Sequence, residues 1–289
     1  MRVQVLLTAL VAVALADGAA ASELIDRNAS NVSLRVNGSG QALLGYTARG
    51  ARRNVLVSGG INAYHPVAGR AQVEFSKNYA AGSAGFAGSC PTYDGPALKW
   101  LVTACKAPDG SYWAVQSWQR MLPNYGVPAH GDAAAWELRL SHWRGPIAQL
   151  AVEQNWAYRR YHHLFGTFTY LGRAVHGFRT TRGGVPLDAF GRNLYVDTLN
   201  SQYGPGWKRE NSFLTHKATG VFCYGFYPHG ARPSGMGTRY RATVIGPGVT
   251  PDVYWEGPSP GSYDKAFDLE QHAAQKQLYG GGERLCKPV

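Results

Sequence analysis

The chain has 289 residues, 36 of them Gly and 16 Pro, and its 29 Lys and Arg against 18 Asp and Glu give a net charge of +11. Its 8 Trp, 17 Tyr and 10 Phe are too many aromatics for a disordered tail. The Gly content excludes a coiled coil, and no three-residue Gly period marks collagen.

Residues 1–21 read as a secretory signal. Arg2 supplies a positive start, Val3 to Ala16 an apolar run, and Ala19-Ala20-Ala21 a cleavage site before Ser22. Cleavage removes Arg2 and Asp17 together, so the net charge stays at +11. No later stretch reaches the ~18 apolar residues of a membrane span, so none is expected.

From residue 22 a β-rich N-terminal domain is predicted to run to 145. Val32, Leu34 and Val36 share one strand face, and Asn37-Gly38-Ser39-Gly40 turns the chain. Residues 42–46 return, Gly50 to Arg53 turns again, and 54–57 complete a meander. Val73 to Phe75 suggests a short strand, and the Gly, Ala and Ser of 80–89 a loop. Asp94-Gly95-Pro96 reads as a helix start. Leu98, Leu101, Val102 and Cys105 follow at helical spacing, so a short helix is predicted there. Residues 112–118 and 136–140 alternate as strands.

Gly145-Pro146 is the predicted boundary to a sandwich-like C-terminal domain with a tail, 146–289. Strands are expected at 150–152, 164–170, 193–196, 220–224 and 240–245. Gly-rich turns without long helices between them argue an antiparallel sandwich. Residues 263–279 are the one later helix candidate, with a thin apolar face of Phe267, Ala274 and Leu278. The fold class is therefore mainly β, built of antiparallel sandwich-like units.

Four cysteines, Cys90, Cys105, Cys223 and Cys286, remain in the exported chain. Three pairings are possible, and proximity favours Cys90 with Cys105, a 15-residue step worth ~3 kcal/mol in the chain-entropy model. Cys223 with Cys286 would then tie the tail to the body. A reactive thiol is the alternative, but Gly88-Ser89-Cys90-Pro91 is not the setting of a papain-type nucleophile. With 21 Arg and 8 Lys in an Ala- and Gly-rich chain, the bias is that of a high-GC bacterial genome. The sequons at Asn28, Asn31 and Asn37 are then read as polar turn residues.

The chemistry of the chain is dispersed. G-x-S-x-G, Walker A, H-E-x-x-H, C-x-x-C and EF-hand patterns do not occur. No cofactor is expected. Among nine histidines, His142, His162, His163, His176 and His216 gather in the second half. Adjacent His162 and His163 on a strand face opposite ways, so they are read as structural and no metal site is expected. Asp252 and Glu256, four residues apart on a strand, would stand ~13 Å apart. That exceeds the ~5–9.5 Å of glycosidase pairs. Glu210 and Asp188 are lone acid–base candidates, read first as an ion-paired surface group and a turn residue. Trp113, Trp118, Trp136 and Trp143 suggest an aromatic platform, although Trp113 and Trp118 lie on opposite strand faces.

Two resemblances add to this. Residues 164–197, with Leu164-Phe165-Gly166-Thr167-Phe168, Thr180-Thr181-Arg182-Gly183-Gly184 and Asp188-Ala189-Phe190-Gly191-Arg192, are similar to carboxypeptidase regulatory-like, transthyretin-like domains. That resemblance implies a seven-stranded β-sandwich that supports or adheres. Tyr93-Asp94-Gly95-Pro96, Pro108-Asp109-Gly110-Ser111, Trp207-Lys208-Arg209-Glu210 and Ile245-Gly246-Pro247-Gly248 resemble a family of secreted actinobacterial proteins, which implies no activity and no catalytic residues.

The expectation is a secreted, non-catalytic envelope or matrix protein that binds an anionic wall polymer or polysaccharide. The alternative is an exported hydrolase of polysaccharide or peptidoglycan using Glu210 or Asp188 with a His. Nucleic acid is not an expected partner, because no dense Lys/Arg stripe occurs.

Overall fold

Alternating apolar and polar residues need two sheets to bury one face of each. The chain meets that need twice. The computed structural model describes residues 22–62, 73–119, 135–157, 159, 161–174, 194–201, 204–210, 212–216, 221–226 and 236–279. These form seventeen strands and one helix.

The first sandwich pairs two four-stranded antiparallel sheets. One sheet runs β2 (Ser30–Val36), β3 (Ala42–Ala48), β4 (Ala51–Gly59) and β5 (Phe75–Asn78) in chain order. The other places β1 (Glu23–Arg27) beside β8 (Trp136–Trp143), then β7 (Tyr112–Gln119) and β6 (Leu101–Lys106). Leu34, Val36, Leu44, Val55 and Val57 from the first meet Trp113, Val115, Leu138 and Leu140 from the second in one buried core.

The second sandwich repeats the plan. One sheet holds β9 (Gln149–Ala157), β10 (Tyr161–Tyr170), β11 (Arg173–Ala174), β14 (Ser212–His216) and β15 (Val221–Phe226). The facing sheet runs β13 (Gly204–Arg209), β12 (Leu194–Ser201), β16 (Met236–Val244) and β17 (Val253–Pro258). Val152, Leu164 and Phe168 close on Leu194, Val196, Tyr240, Ala242 and Val244. The Gly145-Pro146 step lies between β8 and β9, where the chain passes from one core to the other.

Helix α1 (Lys265–Tyr279) packs on β9 and β10 through polar groups and through Phe267, whose ring meets Trp156 edge to face at 5.7 Å. Asp268 accepts the Trp156 backbone N–H at 3.1 Å, and Asn155 Nδ2 donates to Gln275 Oε1 at 2.8 Å. Its expected apolar face is largely outward: Phe267 and Leu278 are exposed while Asp268 and Gln275 are buried.

Two sequence expectations need correction. Residues 101–106 form strand β6, and no helix is found between 94 and 105. Leu101 and Val102, half of the supposed buried face, are 41% and 44% exposed. Pairing with β7 decides the matter, since Cys105 lies opposite Trp113. Asp94 caps nothing helical; it accepts from Lys106 Nζ at 2.7 Å and from the Tyr112 hydroxyl at 2.9 Å. The disulfide itself is present: Cys90 and Cys105 are bonded, with Cα atoms 4.9 Å apart. It braces a strand rather than a helix. The second correction is the turn after β3. Ala48 pairs with Ala51, so the turn is Arg49-Gly50, with φ of 52° and 73°. Two left-handed residues make the mirror-image turn that suits strand twist. Cys286 and the Cys223 side chain lie outside the described residues, as does the whole 175–193 stretch of the transthyretin-like resemblance.

One position tests the packing of β9 on β10. A Cβ added to Gly166 would overlap the Ala151 carbonyl, a backbone atom that has no rotamer to retreat into. Gly166→Ala is expected to destabilise the fold by about 2 kcal/mol or more. Gly38→Ala, with open space around it, serves as the control and should cost under about 1 kcal/mol. Urea unfolding of both variants checks this; similar midpoints would refute the close approach.

Candidate functional site

The sheet β13-β12-β16-β17 has two unlike faces. Register fixes them. Arg241 sits opposite Asp197 on one side and Glu256 on the other, and Asp197 sits opposite Arg209. Period-two alternation therefore puts Trp207, Arg209, Asp197, Arg239, Arg241, Tyr254 and Glu256 on one face. Val196, Tyr240 and Ala242 point the other way, into the core.

Residues of the first sandwich close over part of the polar face. Trp118 packs edge-on against Tyr195, with centroids 5.3 Å apart. Arg209 Nη2 donates to the Gln119 carbonyl at 3.3 Å. Lys99 and Trp100, in the loop before β6, reach β16 and β17. The Lys99 ammonium lies 4.8 Å from the Tyr254 ring and 5.6 Å from the Trp100 ring. Trp100 and Tyr254 meet edge to face at 5.5 Å.

Arg241 is held at the centre of this group. Its guanidinium lies 4.3 Å from the Trp207 ring centroid and 5.0 Å from that of Trp100. Its Nε donates to Asp197 Oδ2 at 2.8 Å, while Arg209 Nε donates to Asp197 Oδ1 at 2.5 Å. Burial pushes the Asp197 carboxyl up, but the two guanidiniums outweigh it and hold the group below the usual carboxylate value. Asp197 is thus a fixed anion that positions two arginines. The terminal Nη groups of Arg241 bond to nothing among the described residues, and the side chain keeps 13% exposure. Arg239, 56% exposed, pairs with Glu256, which also accepts from the Tyr254 hydroxyl. The result is a half-open row of Trp207, Trp100 and Tyr254 with cations set between and beside the rings.

A joint below this row sets its geometry. The Asp252 backbone exchanges two hydrogen bonds with the Gln116 side chain, at 2.9 and 3.1 Å. The Asp252 carboxylate accepts from Trp118 Nε1 at 2.6 Å and from the Gly246 N–H at 2.9 Å. These bonds fasten the β16–β17 connection to β7, and Gln116 also donates to the Lys99 carbonyl at 2.8 Å. The loop that carries Trp100 is thereby tied to the same point.

No family model, curated protein or solved structure matches the chain.

The sequence candidates are scattered by the fold. Asp252 is buried in the joint while Glu256 is part-exposed on the polar face of the sheet, so they form no pair. Three of the four expected platform tryptophans are core residues: Trp113, Trp118 and Trp143 are buried, and Trp136 alone is 46% exposed. Of the rings that do gather, Trp100, Trp207 and Tyr254, only Trp207 carries a signal in the sequence: Trp207-x-Arg209 puts a ring and a cation on one strand face, as Arg239-x-Arg241 does two cations. His162 and His163 face opposite ways. His162 bonds to the Tyr240 hydroxyl, and His163 contacts Asn155 Oδ1 at 2.5 Å on the helix side. His142 stacks on Trp113 at 3.8 Å and bonds to Ser111 at 2.9 Å. Among the described residues no three His, Cys, Asp or Glu groups gather as metal ligands. Asp188 and His176 lie outside the described residues, and the His216 side chain does too.

Glu210 is in the core, without exposed surface, and accepts from the Thr198 hydroxyl at 2.6 Å. Burial, with a smaller push from Asp197, raises its carboxyl from 4.5 to about 8. The folded state then holds a proton that the unfolded chain releases. Stability from this group is complete below pH 4.5 and is lost as pH rises through about 8. His162 and His163 act oppositely. Burial lowers both to about 4, so their contribution is present above pH 6.5 and lost as pH falls to about 4. Glu210→Gln is expected to melt like the wild type near pH 5 and above it beyond pH 8. Melting temperatures across pH 5–9 check this, and a difference that does not change with pH contradicts it.

Proposed function

We propose that this protein is exported and binds an anionic extracellular polymer, such as a teichoic acid or an acidic polysaccharide, without cleaving it. The observation that carries the reading is Arg241, held between Trp207 and Trp100 with its Nη groups unengaged among the described residues. A guanidinium offers planar paired donors that fit phosphate and carboxylate oxygens. Ring faces beside it stack on sugar or other apolar surfaces. Lys99 and Arg239 add charge at the rim, and the net charge of +11 favours encounter with a polyanion. The hydrolase alternative loses support because Glu210, its candidate acid, has no exposed surface through which to meet a substrate. The reading includes a signal at 1–21 and a protein that works outside the cell. No described helix is long and apolar enough to cross a membrane.

Co-sedimentation with purified cell walls tests the proposal. Retention should fall steeply between low and high salt, since exposed charges are screened beyond ~8 Å at physiological ionic strength. Trp207→Ala should weaken binding by about fivefold, the scale of one lost cation–π arrangement and its ring surface. Lys99→Gln with Arg239→Gln, both exposed, should weaken it without changing the melting temperature. Retention that ignores salt and all three changes would overturn the reading, as would release of reducing ends or peptides from the walls.

A further inference from the structure

Ser22, the residue after the expected cleavage site, has no exposed surface. Its hydroxyl donates to Asp252 Oδ1. Arg139 Nη1 donates to the Ser22 carbonyl at 2.7 Å and to its hydroxyl oxygen at 3.1 Å. The first residue of the mature chain is thus clamped from both ends of its side chain and backbone.

Asp252 is wholly buried, and its direct donors are neutral: the Ser22 hydroxyl, Trp118 Nε1 and the Gly246 N–H. The Arg139 guanidinium stands at the outer limit of an ion pair with it and is shared with Glu137. Arg139 Nε stays 4.0 Å from Oδ2, because Nε and Nη2 donate to Glu137 Oε2 at 3.2 and 2.8 Å. One guanidinium shared by two buried carboxylates, Glu137 and Asp252, offsets the cost of burying the second only in part, and a further cation would relieve it. Covalent geometry keeps the Ser22 nitrogen within about 4 Å of its own hydroxyl oxygen, and so within roughly 7 Å of the carboxylate.

We propose that cleavage before Ser22 completes the fold: the α-ammonium it frees pairs with the Asp252 carboxylate inside the joint between the sandwiches. In an unprocessed chain the same nitrogen is a neutral peptide N–H. Removal of the signal therefore strengthens the bond that holds the two halves together. Because Ser22 is covered, the peptidase must act before β1 docks on β8. The proposal rests on the reading of residues 1–21 as a cleaved signal, and it makes Ser22 and Asp252 a processing-dependent pair.

Two preparations test it: a chain that begins at Ser22 and one that begins at Ala19, each confirmed by intact mass. The Ser22 form should melt higher by about 5 °C. Asp252→Asn should shrink that gap to near zero. A second probe does not depend on that variant folding. Periodate cleaves the amino-alcohol of an N-terminal serine only when its amine is free and reachable. The folded Ser22 form should react at least about tenfold more slowly than the same chain in denaturant. Equal melting temperatures for the two forms, or equal periodate rates folded and unfolded, overturn the proposal. Exported protein whose mass shows a start other than Ser22 overturns it together with the cleavage reading.

Discussion

The Asp252 carboxylate joins the two sandwiches. Its partners come from three distant parts of the chain: Ser22 before β1, Trp118 on β7, and Gly246 after β16. The paired bonds between its backbone and Gln116 fix the same contact a second time. Buried polar groups of this kind cost much when half satisfied and specify one arrangement when fully satisfied. Trp118, Tyr195 and Ile245 pack around them, so water is kept from these bonds. The halves therefore meet through apolar contacts whose registry the directional bonds fix.

That registry is what assembles the aromatic and cationic row. Trp207, Arg241 and Tyr254 belong to one sheet of the second sandwich, whereas Lys99 and Trp100 belong to the first. Trp100 is held over Arg241 by the Gln116 side chain, which bonds to the Lys99 carbonyl and to Asp252, and by the Ser117 N–H, which donates to the Trp100 carbonyl at 2.9 Å. Beneath the row, Asp197 orders Arg209 and Arg241 from a buried position. A preordered arginine loses less freedom on meeting an anion than a mobile lysine does. The contacts that join the halves thus also order the proposed recognition surface.

Most of the strands were legible in the sequence because each depends on local alternation. β2 to β4, β7, β8, β10, β12, β15 and β16 all lie where that pattern is plain, and the 15-residue spacing of Cys90 and Cys105 pointed to their bond. β6 was misread because 98, 101, 102 and 105 happen to fit a helical stripe; pairing with β7 overrides that spacing. The aromatic and cationic face was only half visible. Trp207-x-Arg209 and Arg239-x-Arg241 show on inspection, but their adjacency needs β12 to lie between β13 and β16. Trp100 arrives from a loop about a hundred residues away, which no local rule reports. Glu210 looked like a surface ion-pair residue, yet it follows the buried Arg209 into the core. Asp252 looked like a candidate acid, and its role as a fastener depends on Ser22, 230 positions earlier.

Scanning calorimetry of the chain from Ser22 onward tests the joint most directly. If directional buried bonds hold the sandwiches in one registry, the protein unfolds in a single transition whose calorimetric and van't Hoff enthalpies agree. Two separate transitions, one for each sandwich, would contradict the account, because the halves would then be joined by chain connectivity alone.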